Sequence, residues 1–187
     1  DSLHVLRVHL NAGYAFHRKA PTLEWSSYLL YAPRFRGKVA LYMNYRSEDF
    51  NGHTGIPGPT NTLYTLFLRE NHLKLYQRAD ATLYNRIDFT NGIELISELG
   101  YGINDPLRNN SLFSVFYRDA PEERFTRNTP AGRPYNAPEI QRHKQFLAHF
   151  RLSVTPRHHY FYRNYRKVMT DSEWPTFSFD YTHAFPL

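Results

Sequence analysis

The sequence of 187 residues contains no cysteine, so it can form neither a disulfide framework nor a thiolate site. It also has no run of eighteen apolar residues, and we therefore expect no transmembrane helix. The Gly-x-Ser-x-Gly motif of hydrolases is absent, and so is a phosphate-binding loop with its following Lys and Ser or Thr. These absences remove the best-known sequence signatures of an enzyme.

The distribution of charge does not suggest a nucleic-acid surface. The chain carries 23 basic and 17 acidic residues, a formal net charge of +6 and a sequence pI of about 9.5. The two signs are interspersed, whereas a dedicated nucleic-acid surface would cluster Lys and Arg on one element. We expect no nucleic-acid partner.

Aromatic residues are abundant for so polar a chain. The 15 Tyr, 14 Phe and 2 Trp residues make up 17% of the sequence, although the mean hydropathy is −0.62. Transmembrane β-barrels combine these two properties, because aromatic girdles lie at both membrane interfaces while half of every strand faces a wet lumen. On composition alone, an aromatic-rich soluble β-sandwich or a lipocalin-like barrel is the alternative.

The strongest local pattern is an alternation of apolar and polar residues with period two, which predicts strands with two different faces. The first such segment, residues 6–16, is eleven residues long, and a tilted strand needs about 9–11 residues to cross an outer membrane. Similar segments lie at residues 38–46, 93–103, 145–154 and 176–185, and weaker ones at 23–32, 79–89 and 111–118. The residues that we expect to face lipid are Leu6, Val8, Leu10, Val39, Leu41, Phe150, Leu152, Phe177 and Phe179.

The connections between these segments alternate in length. Short turns are predicted at residues 32–37 and at Thr90-Asn91-Gly92, since Asn-Gly favours the positive φ angles of tight hairpins. Long polar loops are predicted at residues 47–61 and 119–142. This alternation is typical of the periplasmic turns and extracellular loops of outer-membrane proteins. Residues 63–77 predict a short helix that leads into a strand.

The polar sides of the strands hold Arg, His, Glu, Lys and Asp, a composition unsuited to a packed core. A soluble sandwich could instead turn its apolar faces inward and its polar faces to solvent. We predict one all-β domain over residues 1–187, a segment of an antiparallel up-and-down transmembrane β-barrel with about seven or eight strands and long polar loops.

The ten histidines do not predict a metal site. His158 and His159 are adjacent, and adjacent residues of a strand point to opposite faces. His143 and His149 would share a face but lie about 20 Å apart in an extended strand. Because zinc ligands must converge on one point, we predict no metal and no cofactor.

The carboxylates do not predict a catalytic pair either. Glu94 and Glu98 share the polar side of one strand at a separation of about 13 Å, beyond the spacing of either glycosidase geometry. Such groups in a barrel more often pair with arginines of the lumen. We therefore predict no catalytic residue and expect that the protein is not an enzyme.

A basic and aromatic segment runs over residues 157–167, from Arg157 to Lys167. It could bind phosphate, lipopolysaccharide headgroups or a partner protein. The alternative, which we favour, is an interfacial or periplasmic turn whose rings anchor at the depth of the lipid headgroups.

Two stretches resemble a known family. The first covers residues 61–67, 71–76, 89–92 and 99–101, and the second covers residues 174–182, Trp-Pro-Thr-Phe-Ser-Phe-Asp-Tyr-Thr. Both are similar to Bacteroidota outer-membrane proteins named for a carboxypeptidase-like regulatory domain. Their barrel domain resembles the barrel-assembly and two-partner-secretion superfamily.

The resemblance implies a non-catalytic barrel. The family's name refers to a small N-terminal β-sandwich that implies no peptidase activity, and the family has no established active-site residues to carry over. Its members are several times longer, and residues 1–3 are neither a Met start nor a signal peptide. We therefore expect a processed or truncated N-terminus and an interior segment of a larger barrel.

The expected function is that of an integral protein of the bacterial outer membrane, in envelope assembly or transport. Its partners would be outer-membrane lipid, lipopolysaccharide and further strands of a larger chain or other envelope proteins. One alternative is a self-contained eight-stranded barrel that acts as a membrane anchor or adhesin. The other is a soluble lipocalin-like barrel that binds a ligand. Seven clear strands are an odd number, so we predict that this stretch does not close a barrel by itself.

Overall fold

The computed structural model describes residues 5–16, 19–50, 56–107, 113–117, 128 and 141–187. Within them the chain forms a seven-stranded antiparallel sheet, a two-stranded sheet and one α-helix. The strands are β1 (Val5–Ala15), β2 (Ala20–Leu30), β3 (Lys38–Asp49), β4 (Leu75–Thr90), β5 (Ile93–Pro106), β6 (His143–Val154), β7 (Tyr160–Arg163), β8 (Arg166–Met169) and β9 (Phe177–Pro186), and the helix is α1 (Gly58–Leu68). The predicted all-β antiparallel fold is confirmed.

The large sheet is a meander with the order β1-β2-β3-β4-β5-β6-β9, so each strand pairs with the next one along the chain except where β7 and β8 intervene. Its seven strands correspond to the five clear segments and to the two weaker ones at 23–32 and 79–89. The β4–β5 pairing shifts register once, between Asp88 and Thr90. Strands β1 and β9 form the two edges and are not paired with each other in the described residues. The sheet is open there, and the barrel stays a prediction.

Both predicted short turns are confirmed. The β2–β3 connection contains a 3-10 helix, Pro33–Phe35, and Tyr31 N–H donates to the Gly37 carbonyl at 2.9 Å. In the β4–β5 turn, Gly92 has a φ of +78°, and a Cβ there would clash with the carbonyl oxygen of Thr155. Glycine is therefore required at this turn for its positive φ and for the close approach of the connection between β6 and β7.

The connection between β3 and β4 contains α1, so the helix predicted within residues 63–77 is confirmed, and a loop of residues 69–74 leads from it into β4. Strand β3 runs to Asp49 and α1 begins at Gly58, which leaves a shorter loop than the one predicted at 47–61. Residues 51–55 of that loop lie outside the described residues. No helix in the described part of the chain has the length and hydropathy needed to cross a membrane.

The weak strand predicted at residues 111–118 is wrong for residues 113–117, which form no strand and include bends at 115–117. Its other residues lie outside the described ones. Ser114 Oγ instead donates to the Leu66 carbonyl at 2.8 Å, so this segment packs on the end of α1. Most of the loop predicted at 119–142 is also outside the described residues.

The segment interpreted as a turn at residues 157–167 is larger than predicted, because it contains the two-stranded sheet of β7 and β8. We call residues 160–169 the hairpin. The hairpin follows β6 and precedes β9 in the chain. Its strand β8 packs against the 3-10 helix between β2 and β3. The hairpin therefore lies at the end of the sheet that carries the short turns.

The sheet lacks the apolar core of an ordinary soluble domain. In the described residues the buried hydrophobic side chains are Ala40 and Ala148, whereas many large apolar side chains are exposed. Of the nine residues expected to face lipid, Val39 and Leu41 are half-buried, and the other seven are exposed. The main feature of this sheet is therefore the difference in polarity between its two faces.

Candidate functional site on the polar face of the sheet

The strand register assigns every residue of the large sheet to one of two faces. Thr82 lies in a row with Tyr42 and Gly100 on one side, and the next residue, Leu83, lies in a row with Leu41 and Leu99 on the other. We call these the polar face and the apolar face. The charged side chains of the polar face are Arg7, Glu24, Lys38, Arg46, Glu48, Arg78, Asp80, Arg86, Asp88, Glu94, Glu98, Arg151 and Asp180.

A cluster of buried charges, which we call the end cluster, fastens the hairpin to the sheet. Asp88 is 1% exposed and accepts two hydrogen bonds from the Arg36 guanidinium, at 2.8 and 2.9 Å. The ammonium of Lys167, on β8, lies 3.4 Å from the same carboxylate and is 5% exposed. Two cations thus share one buried anion. Removal of the anion would leave the buried Lys167 charge without an acidic partner among the described residues, and would leave Arg36 with Glu94 alone.

Glu94 extends the end cluster across the next strand. It accepts a hydrogen bond from Arg36 at 3.0 Å, and Arg86 Nε lies 2.8 Å from the same carboxylate oxygen. The expectation that Glu94 pairs with arginine is confirmed. A cleft of about 260 Å³ adjoins this cluster, between the β4–β5 turn and the stem of the hairpin. Its lining residues are Arg36, Gly92, Ile93, Glu94, Ser153, Thr155, His158 and Thr176.

A second, more exposed network links β2, β3 and β4 toward the α1 end of the sheet. Arg46 donates to Glu24 and to Glu48, each at 2.8 Å, and Arg78 donates to Glu48 at 3.2 Å. The Tyr76 hydroxyl donates at 2.7 Å to Glu48 Oε2, the oxygen that also accepts from Arg78. Alternating signs on neighbouring strands neutralise this part of the polar face.

The loop before β4 also packs on this end of the sheet. The backbone N–H of Lys74 donates to the Asp49 carboxylate at 3.3 Å. Burial lowers the pKa of the Lys74 ammonium, while the charge of Asp49 acts in the opposite direction. The Asn61 side chain accepts hydrogen bonds from the N–H groups of His72 and Leu73, at 2.7 and 3.0 Å, and so ties α1 to the same loop.

A third group lies across β5, β6 and β9. His149 Nε2 is 3.1 Å from Asp180 and His149 Nδ1 is 3.7 Å from Glu98, while Arg151 Nε donates to Asp180 at 2.6 Å. A histidine between two carboxylates resembles an oriented base. In the part of the chain that the structure describes, however, no hydroxyl is hydrogen-bonded to His149, so these residues do not form the nucleophile–base pair of a hydrolytic site.

The other histidines considered from the sequence are not brought together. His143 is on β6 with His149, but its ring lies 3.1 Å from the amide of Asn104. His158 donates to the Thr170 carbonyl at 2.7 Å. Across the described ranges, no group of three or more His, Cys, Asp or Glu side chains is arranged to hold a metal ion. The absence of catalysis and of cofactors stays a prediction.

Two tyrosines and two cations occupy the middle of the polar face near β1, β2 and β3. Lys38 Nζ lies 4.9 Å from the ring centroid of Tyr28 and 5.5 Å from that of Tyr84. On β1, Arg7 Cζ lies 6.0 Å from the centroid of the same Tyr28 ring. Sequence analysis did not single out this group, because its members come together only through the register of four strands.

Comparison with known proteins identifies a family but not an activity. The model of the C-terminal domain of a family of unknown function, DUF5686, matches residues 1–187. No curated protein and no solved structure shows a significant match to the chain.

Proposed function

We propose that this chain, which belongs to the DUF5686 C-terminal domain family, is a non-catalytic segment of a β-barrel in a bacterial outer membrane. In this proposal the apolar face contacts lipid, the polar face lines the lumen, and the protein serves envelope assembly or transport. The observation that carries the proposal is the exposure of the apolar face.

The exposed side chains of that face extend over all seven strands. They include Leu6, Val8, Leu10, Leu23, Met43, Leu83, Leu99, Tyr101, Phe150, Leu152, Phe177, Phe179, Tyr181 and Phe185. A contiguous apolar surface of this extent on a soluble monomer would be an aggregation hazard. It is the surface that a hydrocarbon environment requires.

The height of the apolar face supports the same proposal. From the row of Phe146 to the row of Val154 this face contains no Asp, Glu, Lys or Arg in the described strands. Those rows span about 27 Å along an extended strand, which a tilt of about 40° reduces to roughly 20 Å. The apolar band of outer-membrane barrels is about 25 Å tall. Charged residues reappear toward the α1 end, at Lys144 and Asp105.

A soluble lipocalin-like barrel would shield its apolar face and expose its polar face. In β3, β4 and β5 the shielding runs the other way: Met43, Leu83 and Leu99 are exposed, whereas Tyr42 and Thr82 are half-buried. Polar side chains that converge and cover one another are expected on the concave side of a curved sheet. This observation favours the membrane proposal over the soluble one.

The two sheet edges support a larger barrel over a self-contained anchor. Strands β1 and β9, eleven and ten residues long, each pair on one side in the described residues. In hydrocarbon an unpaired edge costs several kcal/mol per unsatisfied backbone group. We therefore propose that further β-strands pair with these two edges, as partners in the same membrane.

Site-directed spin labelling tests the orientation of the faces. Because the chain has no cysteine, Leu83→Cys and Thr82→Cys give single labels on opposite faces at the middle of the central strand. In outer-membrane vesicles we expect the label at 83 to collide with oxygen dissolved in lipid and the label at 82 to collide with a water-soluble nickel complex. The reverse pattern, or release of the wild-type protein from membranes without detergent, would contradict the proposal.

A further inference from the structure

The polar face neutralises most of its own positive charges. In the seven-stranded sheet its arginines Arg46, Arg78, Arg86 and Arg151 each have a carboxylate oxygen within 3.2 Å. Arg7 and Lys38 are different, since neither forms an ion pair with any residue that the structure describes. Two cations without an acidic partner thus remain on a face that is otherwise paired.

Both cations lie beside the same tyrosine ring, that of Tyr28. Arg7 lies opposite Tyr28 in the β1–β2 register, and Tyr28, Ala40 and Tyr84 form one row across β2, β3 and β4. Lys38, two residues before Ala40, places its ammonium between the two tyrosine rings, while the Arg7 guanidinium approaches the Tyr28 ring. Ala40 is 2% exposed, so the small residue in the row forms a covered base beneath these longer side chains.

Cation–π contacts orient the two cations but leave their hydrogen-bond donors for another group. An ammonium has three N–H donors and a guanidinium has five, and a ring face accepts few of them. A bound anion would supply the negative charge that these two cations do not find among the described residues. A phosphate group suits these donors among common anions, because its several charged oxygens accept from more than one cation and both side chains are long enough to turn toward it.

We propose that Arg7, Lys38, Tyr28 and Tyr84 form a binding site for a phosphate-bearing anion on the polar face. The cations bind the phosphate oxygens, and the tyrosine rings position Lys38. The site is a property of the polar face alone, so it does not require that the apolar face contact lipid.

Titration calorimetry of the purified, detergent-solubilised chain with inorganic phosphate tests this site. We expect saturable binding at one site, weakened about tenfold or more by Arg7→Gln and by Lys38→Met, because each variant removes charge-assisted hydrogen bonds. Lys38→Arg should retain binding, since it keeps the charge. Lys144→Met is the matched control, because Lys144 lies on the apolar face and its loss should change nothing.

A second titration with a water-soluble short-chain phosphatidic acid separates a lipid headgroup from free phosphate. Binding of both ligands with the same dependence on Lys38 supports recognition of the phosphate group itself, and binding of inorganic phosphate alone supports a free anion as the ligand. Lipid binding that is unaffected by Arg7→Gln and Lys38→Met, without phosphate binding, would overturn the proposal.

Two further results would overturn it as well. One is the absence of saturable phosphate binding by wild-type protein whose circular dichroism shows it folded, and the other is equal weakening by Lys144→Met. Arg7 lies on an exposed edge strand, so Arg7→Gln stays informative even if Lys38→Met fails to fold. Loss of this site with the spin label at residue 83 still in lipid would leave the proposed membrane function standing.

Discussion

The two faces of the large sheet use the same seven strands but organise them differently. On the polar face, ion pairs and hydrogen bonds connect neighbouring strands, and the partners shield one another. On the apolar face, side chains such as Leu83, 46% exposed, have no covering layer in the described residues. The polar face therefore supplies the specific contacts within this sheet, while the energetic role of the apolar face depends on its surroundings.

The largest effect should come from breaking the buried part of the polar face. Asp88→Ala leaves the charges of Arg36 and Lys167 without their shared anion, and we expect it to lower the free energy of unfolding by about 3–5 kcal/mol. Denaturant unfolding, followed by circular dichroism, measures this loss. The exposed carboxylate of Asp180 is the control, and Asp180→Ala should cost far less.

A double variant shows whether buried charge is the cause. Asp88→Asn combined with Lys167→Met removes one charge of each sign, so it should recover part of the stability that Asp88→Asn loses alone. If the double variant is no more stable than Asp88→Asn alone, the uncompensated charge of Lys167 is not the cause of the lost stability.

An effect of intermediate size is expected on the apolar face. In a lipid bilayer, Leu83→Arg should cost about 2–4 kcal/mol, because it places a charge near the middle of the hydrocarbon, and Thr82→Arg should cost little. Reversible unfolding from lipid vesicles measures both. Equal costs at the two positions would erase the distinction between the faces on which the proposed function rests.

The smallest effect is expected in the exposed network of the polar face. Arg46→Gln removes contacts to Glu24 and Glu48, but Arg46 is 43% exposed, and solvent weakens such pairs. We expect a modest loss of stability that shrinks as the salt concentration is raised, because salt screens exposed pairs more than buried ones. A loss of stability as large as that of Asp88→Ala, and independent of salt, would mean that burial does not determine how much each cluster contributes to stability.

The strands could be predicted from the sequence because their signal is local. Alternation over ten or more residues marks both faces of a strand, as in residues 6–16, and Asn91-Gly92 marks a tight turn without knowledge of its partners. The sequence indicates only a turn at the hairpin, because its two strands are four residues each, too short for alternation to show.

The clusters of the polar face could not be predicted in the same way. Lys167 and Asp88 are 79 residues apart, and their contact depends on where the hairpin folds back. The neighbourhood of Arg7, Tyr28, Lys38 and Tyr84 depends on the register of three strand pairs, and a slip of one residue in any of them would move its members to opposite faces. Residue types at polar positions were visible in the sequence, but their partners were not.

The meander order of the sheet has a consequence for how the protein acquires its structure. Each new strand finds its partner in the strand that precedes it in the large sheet, and the order contains no crossover. The entropy lost on closing a loop rises slowly with loop length, so even the connection from Pro106 to His143 adds little to the cost of pairing β5 with β6. The sheet can therefore form by adding one strand at a time from either end, and each added strand already has its partner in place.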